Sequence, residues 1–158
     1  MQKISTCLWF DGNAEEAMNF YMSVFKNGKV ANVMRYGEAG PGPKGSVLAV
    51  TFELEGQEFI GLNGGPDFQF TPAISMFVKC QTQAEVDGYW EKLLAGGGKP
   101  QHCGWLTDKY GVSWQIVPTV LGDMLRDKDA AKSQRAMQAM LQMVKLDIAA
   151  LKKAFDGR

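Results

Sequence analysis

No block of like charge occurs anywhere in the chain: its 17 basic and 17 acidic residues are dispersed over 158 positions and cancel. Such a surface offers no footing to a phosphate backbone or an anionic bilayer, so neither nucleic acid nor a membrane is an expected partner. No apolar run approaches the ~20 residues that span a bilayer. The opening stretch MQKISTCLWF has one lysine and no extended apolar core, so it does not read as a secretory leader. Cysteine is scarce. Cys7, Cys80 and Cys103 are odd in number and unclustered, the pattern of reduced thiols in a cytoplasmic protein rather than of a disulfide framework. Histidine is scarcer still: His102 stands alone, and one imidazole does not make a metal site.

What is present is ordinary apolar content, 46% against 22% charged, in a chain sized for one domain or two small halves sharing a core. The organising stretch is LWFDGNAEEAMNFYMSVF, Leu8 to Phe25. A strand from Ile4 ends at Phe10, Asp11-Gly12 turn, and Asn13 opens a helix with Glu16 at capping-box spacing. Ala17, Phe20, Tyr21, Val24 and Phe25 recur at helical period and give that helix an apolar face. Asn27-Gly28 is expected to end it in the left-handed conformation. Strands follow at Lys29 to Tyr36, Val47 to Leu54 and Gln57 to Asn63, with a Gly/Pro-rich loop at Gly37 to Ser46 and a hairpin turn at Glu55-Gly56.

The pattern then repeats. Ile74 to Cys80 is a strand, and Thr82 caps a helix with Glu85 three residues on. Val86, Tyr89, Trp90, Leu93 and Leu94 form its apolar face, and Gly96 to Gly98 stop it. Short strands are expected at Lys99 to His102, Gly104 to Thr107 and Ser113 to Val117. Beyond Thr119 the periodicity changes. Leu121 to Leu125 reads as a short helical turn. Asp129 to Phe155 reads as one long helix with a stripe of Met137, Met140, Leu141, Val144, Ile148, Leu151 and Phe155. The fold class is therefore α+β: two tandem βαβββ units forming a curled mixed sheet around a cleft, plus the C-terminal helix. The expected division is a domain over 1–118 (units at about 4–65 and 73–118) and a helical extension over 119–158.

Four segments carry a family likeness: LWFDGNAEEAMNFYMSVF, LNGGPDFQFTPAISMFVKC, GWLTDKYGVSWQIVP and QRAMQAMLQMVKLDIAALKKAF. Together with the repeated βαβββ unit they resemble the vicinal oxygen chelate superfamily, which has the glyoxalase/bleomycin-resistance fold. Within it they look like the PhnB-like branch, which also carries the name 3-demethylubiquinone-9 3-methyltransferase family. The resemblance covers nearly the whole chain and implies a cleft lined by both sheets, with helices outside; many relatives are dimers. Metal-dependent members take four ligands, one seven residues before each helix cap and one on each unit's last strand, usually histidines and glutamates. Carried onto this sequence those positions are Thr6, Gly61, Ser75 and Gln115. Hydroxyls, an amide and a glycine are poor donors for a transition metal, so a cleft with no catalytic metal and no cofactor is expected. A one-residue slip would bring Cys7 or Glu58 near instead, at the expense of turning every side chain to the other face.

By strand alternation Leu8, Phe10, Phe59 and Phe77 face the cleft, with Thr6, Asn63, Ser75, Ser113 and Gln115 as polar points, Gly61 between them and Trp105 at the border. Trp9 and Trp114 then look toward the helices. A mostly apolar cavity with a few neutral donors suits a small organic molecule. His102 and Asp108 are the candidates for acid–base work, although Asp108 with Gly111 is most simply a turn. Glu15 and Glu16 complement a helix N-terminus. Methyl transfer in a Rossmann-like fold needs a Gly-rich turn between a first strand and a helix. GPGPKG lies between two strands and LAGGGKP follows a helix, so neither supplies it. Three function readings follow: a metal-free binder of a small apolar molecule, an enzyme on the same cleft (a transferase as the family is named, or lyase/isomerase-like), and a structural or regulatory domain. A homodimer is expected, with the Met137 to Phe155 stripe as a candidate contact.

Overall fold

The computed structural model describes residues 2–158. Two compact units emerge, the first ending at Phe70 and the second running from Thr71 to Arg158. In the first, β1 (Thr6–Phe10), α1 (Ala14–Val24), β2 (Lys29–Arg35), β3 (Val47–Leu54) and β4 (Gln57–Asn63) follow in order. The sheet order is β1-β4-β3-β2, with β1 parallel to β4 and the other pairs antiparallel. The second unit repeats this with β5 (Ser75–Cys80), α2 (Gln83–Leu94), β6 (Lys99–Pro100), β7 (Trp105–Thr107) and β8 (Ser113–Pro118), in the order β5-β8-β7-β6. Again the first strand is parallel to the last. The βαβββ repeat read from the sequence is thus the fold.

The hairpin at Glu55-Gly56 has both residues left-handed, at φ 50° and 80°, as a two-residue turn between right-twisted strands requires. Tyr21 of α1 stacks on Phe52 at 6.5 Å, and Phe52 on Phe59 at 5.7 Å, so helix and sheet meet through aromatic rings. Ala17, Met18 and Val24 complete the buried helix face. In the second unit Val86 and Leu93 of α2 are buried together with Cys80, Leu106, Trp114 and Ile116.

The caps differ from expectation in an instructive way. Thr82 Oγ1 accepts the Glu85 N–H at 3.2 Å, and Glu85 Oε1 accepts the Gln81 N–H at 2.9 Å, a capping box displaced by one residue at its return bond. Asn13 makes no such bond. The first helix is capped from across the sheet: Asn63 Oδ1 accepts the Ala14 N–H at 2.9 Å, while its Nδ2 donates to the Val47 carbonyl at 3.1 Å. Nor does Asn27-Gly28 end α1 in the left-handed region; the chain leaves through an extended Phe25.

The long C-terminal helix is two helices. After the short α3 (Thr119–Leu125) come α4 (Ala130–Leu141) and α5 (Ile148–Asp156). The break has tertiary causes. The carbonyls of Met143 and Val144 accept the N–H groups of Cys103 (2.9 Å) and Gly104 (2.8 Å). Leu146 is fully buried, and Gln83 clasps the loop by donating to the Leu146 carbonyl at 3.1 Å and accepting the Ile148 N–H at 2.8 Å. Asp147 then caps α5 through the Ala150 N–H at 2.9 Å. Side-chain periodicity cannot register backbone groups recruited by a distant turn. Leu121, Met124, Ala136, Leu146 and Leu151 form the core of this extension, with Val117 of β8 packed against it. Of the predicted stripe only Leu151 is buried, while Met137, Leu141 and Val144 stay exposed. No helix among the described residues is long and apolar enough to cross a membrane.

Candidate functional site

Each sheet has one face against its helix and one turned away. In the second unit the face away from α2 follows from the register. Phe77 pairs with Gln115, which pairs with Trp105; the next row is Ser75, Ser113 and Thr107. Gln115 Nε2 donates to Ser75 Oγ at 3.0 Å across that face. Phe77 is 53% exposed, Gln115 and Trp105 are half-buried, and Ser113 is 1% exposed with a hydroxyl that finds no hydrogen-bond partner. Trp114 is buried on the opposite face with its Nε1–H donated to Asp108 at 2.9 Å, as the alternation required.

In the first unit the alternation is reversed from the expected one. Leu8, Phe10 and Phe59 are buried on the α1 side, not on the open face. Thr6 and Gly61 share that side, because Thr6 pairs with Phe59 and Leu8 with Gly61. A Cβ at Gly61 would lie 3.0 Å from Val50 Cγ2 and 3.3 Å from Ala14 Cβ. Asn63, expected as a polar point in the cleft, is the cap of α1. The physical reason is the length of the strand-to-helix connection. Two residues, Asp11 and Gly12, lie between β1 and Asn13, whereas Gln81 alone lies between β5 and Thr82. Counting seven back from each cap therefore lands on opposite faces.

The face turned away from α1 carries a row of Trp9, Leu62, Ala49 and Met34, then Cys7, Ile60, Thr51 and Asn32, then Glu58, Glu53 and Lys29. Lys29 and Glu53 form an ion pair at 2.9 Å, and Ser5 Oγ donates to Glu58. Trp9 lies here rather than against the helix: its Nε1–H donates to the Gly65 carbonyl at 2.9 Å, and Phe68 meets it edge-on at 4.8 Å. Burial raises the Cys7 thiol above its usual range. Cys80 is pushed up to about 11 by burial and by the Glu85 carboxylate, which makes it an inert core thiol.

The two acid–base candidates separate cleanly. His102 is exposed in the turn after β6, and the expected strand there stops at Pro100. Asp108 is 3% exposed and fully engaged: Oδ1 accepts the N–H groups of Tyr110 (2.8 Å) and Val112 (3.1 Å), and Oδ2 accepts the Trp114 indole. An acceptor-only carboxylate held by three donors shapes the turn before β8. Sequence reasoning missed one feature, an open depression of about 360 Å³ lined by Asp11, Glu15, Tyr36, Ser46 and Asn63 among others. Its walls are the β1–α1 turn and the two ends of the Gly/Pro-rich loop. Those ends are tied by the Tyr36 N–H to the Ser46 carbonyl at 2.9 Å.

The residues do not fit the metal that the family resemblance implies. Thr6 and Gly61 sit against α1 and are not on the open face, where the one-residue slip places Cys7 and Glu58 instead; Glu58 accepts from Ser5, and Ser75 and Gln115 bond each other. Among the described residues no three His, Cys, Asp or Glu side chains cluster as a metal site.

The family described as 3-demethylubiquinone-9 3-methyltransferase matches residues 2–117. The PhnB protein of Bacillus cereus, which bears the same methyltransferase description, is 45% identical over 74% of this chain and 99% of its own, with a TM-score of 0.67. A Pseudomonas aeruginosa protein is 20% identical over 75% of this chain and 98% of its own, at a TM-score of 0.60. The genomically encoded fosfomycin resistance protein FosX of Listeria monocytogenes is 16% identical over 80% and 98%, also at 0.60. No match was found among curated proteins. The latter two structures share the fold alone; the family match, joined to the PhnB likeness and the doubled βαβββ sheet, places the chain in the 3-demethylubiquinone-9 3-methyltransferase family, on the glyoxalase/bleomycin-resistance fold of the vicinal oxygen chelate superfamily.

Proposed function

We propose that the protein binds a small, mostly apolar organic molecule on a sheet face, without a bound metal. The observation that carries this reading is the Phe77–Gln115–Trp105 row of the second unit, an aromatic, amide, aromatic sequence across three strands with an exposed phenylalanine at its edge. An exposed ring beside neutral polar groups is the surface chemistry of a ligand site rather than of a sealed core. Asp108 is spent on its turn and His102 projects from another, so neither meets the geometry for a proton transfer on that face. The methyltransferase of the family's name also needs a cradle for its methyl donor. Here Gly40 and Gly42 of GPGPKG approach the Tyr36 ring so closely that a Cβ on either would lie about 2.5 Å from it. Those glycines serve packing of the loop.

The test is a thermal-shift screen of small aromatic and aliphatic compounds on the full chain. A ligand at 100 times its dissociation constant adds ~2.7 kcal/mol of stability. A hit whose shift is lost in Phe77→Ala supports the reading, and a broad screen with no hit counts against it. Elemental analysis after exposure to manganese, iron, nickel and zinc is the companion measurement, and one tightly held metal per chain would refute metal-free binding. The same reading includes a homodimer in the cytoplasm. The exposed Met137, Leu141 and Val144 are a candidate contact, and the three cysteines are free thiols. Light scattering that returns a monomer at ~10 µM would remove the dimer.

A further inference from the structure

We infer that the ligand of the second unit's open face is a planar ring bearing a neutral oxygen substituent, seated between Phe77 and Trp105 above Gln115. This rests on the binding reading and narrows it to a chemical class.

The spacing argues for a ring. Phe77 and Trp105 occupy strands two apart, with Gln115 of β8 between them in register. Adjacent strands are ~4.8 Å apart, so the stems of the two aromatic side chains stand ~10 Å apart. Aromatic pairs favour centroid separations of ~4.5–7 Å. A gap of ~10 Å therefore admits one flat ring in contact with both walls. A saturated ring of the same carbon count is thicker and lacks a π-face for either wall to meet.

Polar chemistry on the face argues for the oxygen. Ser75 Oγ already accepts from Gln115 Nε2, so its own proton is left to donate, and Gln115 Oε1 is left to accept. Ser113, next to Ser75 in register, is 1% exposed, and its hydroxyl is paired with nothing. Buried hydroxyls in folded proteins nearly always have a partner. The Ser113 hydroxyl is itself closed to the surface, so the polar contacts open to a ligand are those of Ser75 and Gln115: a ring carbonyl could accept from Ser75, and a ring hydroxyl could donate to Gln115 and accept from Ser75. All three side chains are uncharged, so a carboxylate or ammonium would lose its hydration without a counter-charge at that point. The lysines of this face are exposed and stand at its margins: Lys79 is one row beyond Phe77, and Lys99 ends the Ser75–Ser113–Thr107 row on the edge strand β6, two strands from Ser113.

The experiment titrates the full chain with four matched compounds: 2-naphthol, decahydro-2-naphthol, naphthalene and 2-naphthoate. The expected result is that 2-naphthol binds at least ~10-fold more tightly than the other three, the size of one well-made hydrogen bond or one lost aromatic wall. Ser75→Ala should weaken 2-naphthol ~10-fold and leave naphthalene unchanged, while Ser113→Ala should alter neither and leave the melting temperature of the free protein unchanged or higher, because it deletes an unpaired hydroxyl. Trp105→Leu should erase the preference for the flat ring over the saturated one. Equal binding of 2-naphthol and decahydro-2-naphthol would overturn the ring slot. Tighter binding of 2-naphthoate would overturn the neutral group in favour of the two lysines. If none of the four binds while the broader screen finds another ligand, the ring assignment falls and the binding reading stands; if the screen also finds nothing, both fall.

Discussion

Replacing Asp108 by Asn tests whether this carboxylate is a turn-former or a reacting group. The side chain is 3% exposed, and its two oxygens accept three hydrogen bonds at 2.8, 3.1 and 2.9 Å from Tyr110, Val112 and Trp114. Asparagine has the same shape but one acceptor oxygen. If that oxygen keeps the two backbone N–H groups, the new NH₂ faces the Trp114 indole N–H, donor against donor. If it turns, two backbone donors lose their acceptor. The milder arrangement forfeits one hydrogen bond to a charged acceptor, ~1.5–3 kcal/mol, and leaves a buried donor unpaired at ~1–3 kcal/mol. Because these overlap, the expected loss is ~3 kcal/mol, or ~6–12 °C in a chain of this size. Urea unfolding followed by circular dichroism and tryptophan emission measures it. Trp114→Phe closes a double-mutant cycle, and its coupling with Asp108→Asn should exceed ~1 kcal/mol. A loss below ~0.5 kcal/mol for Asp108→Asn would refute the turn reading, more so if a catalysed reaction disappeared with it.

Capping yields a sharper contrast. Asn63→Ala should cost ~1–2 kcal/mol and Asn13→Ala almost nothing, because Asn63 alone of the two bonds the Ala14 N–H; chemical denaturation of both variants checks the order, and equal losses would show that Asn13 caps α1 in solution. Gly61→Ala should destabilise by ~1 kcal/mol, since its methyl would meet Val50 Cγ2 at 3.0 Å and Ala14 Cβ at 3.3 Å; a gain in melting temperature would mean that α1 can retreat from the sheet. The third concerns pH. Lys145 binds Asp87 at 2.8 Å and, with Gln83, holds the Asp87 carboxyl below the usual carboxylate range. A group with a depressed folded pKa stabilises above its unfolded value near ~4 and loses that contribution as pH falls through the folded one. The pair is surface-exposed, so the effect is local. Hydrogen exchange over 142–148 should rise on acidification below pH ~4, and Lys145→Ala should remove that dependence; an unchanged acid response in Lys145→Ala would place its origin elsewhere.

Much of the architecture was legible because it is written in local signals. The strand at Val47–Leu54, the hairpin at Glu55-Gly56, the return strand at Gln57–Asn63 and the Thr82 cap stand where alternation, turn chemistry and capping put them. The second unit's faces were legible too, since a strand's parity follows once one buried residue is known: Trp114 inward leaves Gln115 outward. The first unit's faces were not. Parity there depends on how many residues the chain spends between strand and helix, and one extra residue in the Asp11-Gly12 turn reverses it, sending Leu8 and Phe10 inward and Cys7 and Trp9 outward. The family match stops at residue 117, just before the helical extension, and the extension is where periodicity misled most. The stripe from Met137 to Phe155 is consistent with one helix, yet Leu146, off that stripe, is the residue that seals against Gly104.

The sequence by itself determined the doubled βαβββ unit and the balance of charge. These are properties of residue identity and short-range spacing, which the chain carries before it folds. The tertiary structure decided which face of the first sheet is open, that Asn63 rather than Asn13 holds α1, that Asp108 is committed to its turn, and that the last helix breaks at Gln142–Asp147. The Asn63 cap and the helix break depend on hydrogen-bond partners supplied from far along the chain, and the first sheet's open face on the steric fit of one packed face; Asp108 draws its donors from within six residues, and what the fold added there is burial. Backbone groups are identical at every position, so no local pattern can announce which distant one they will meet.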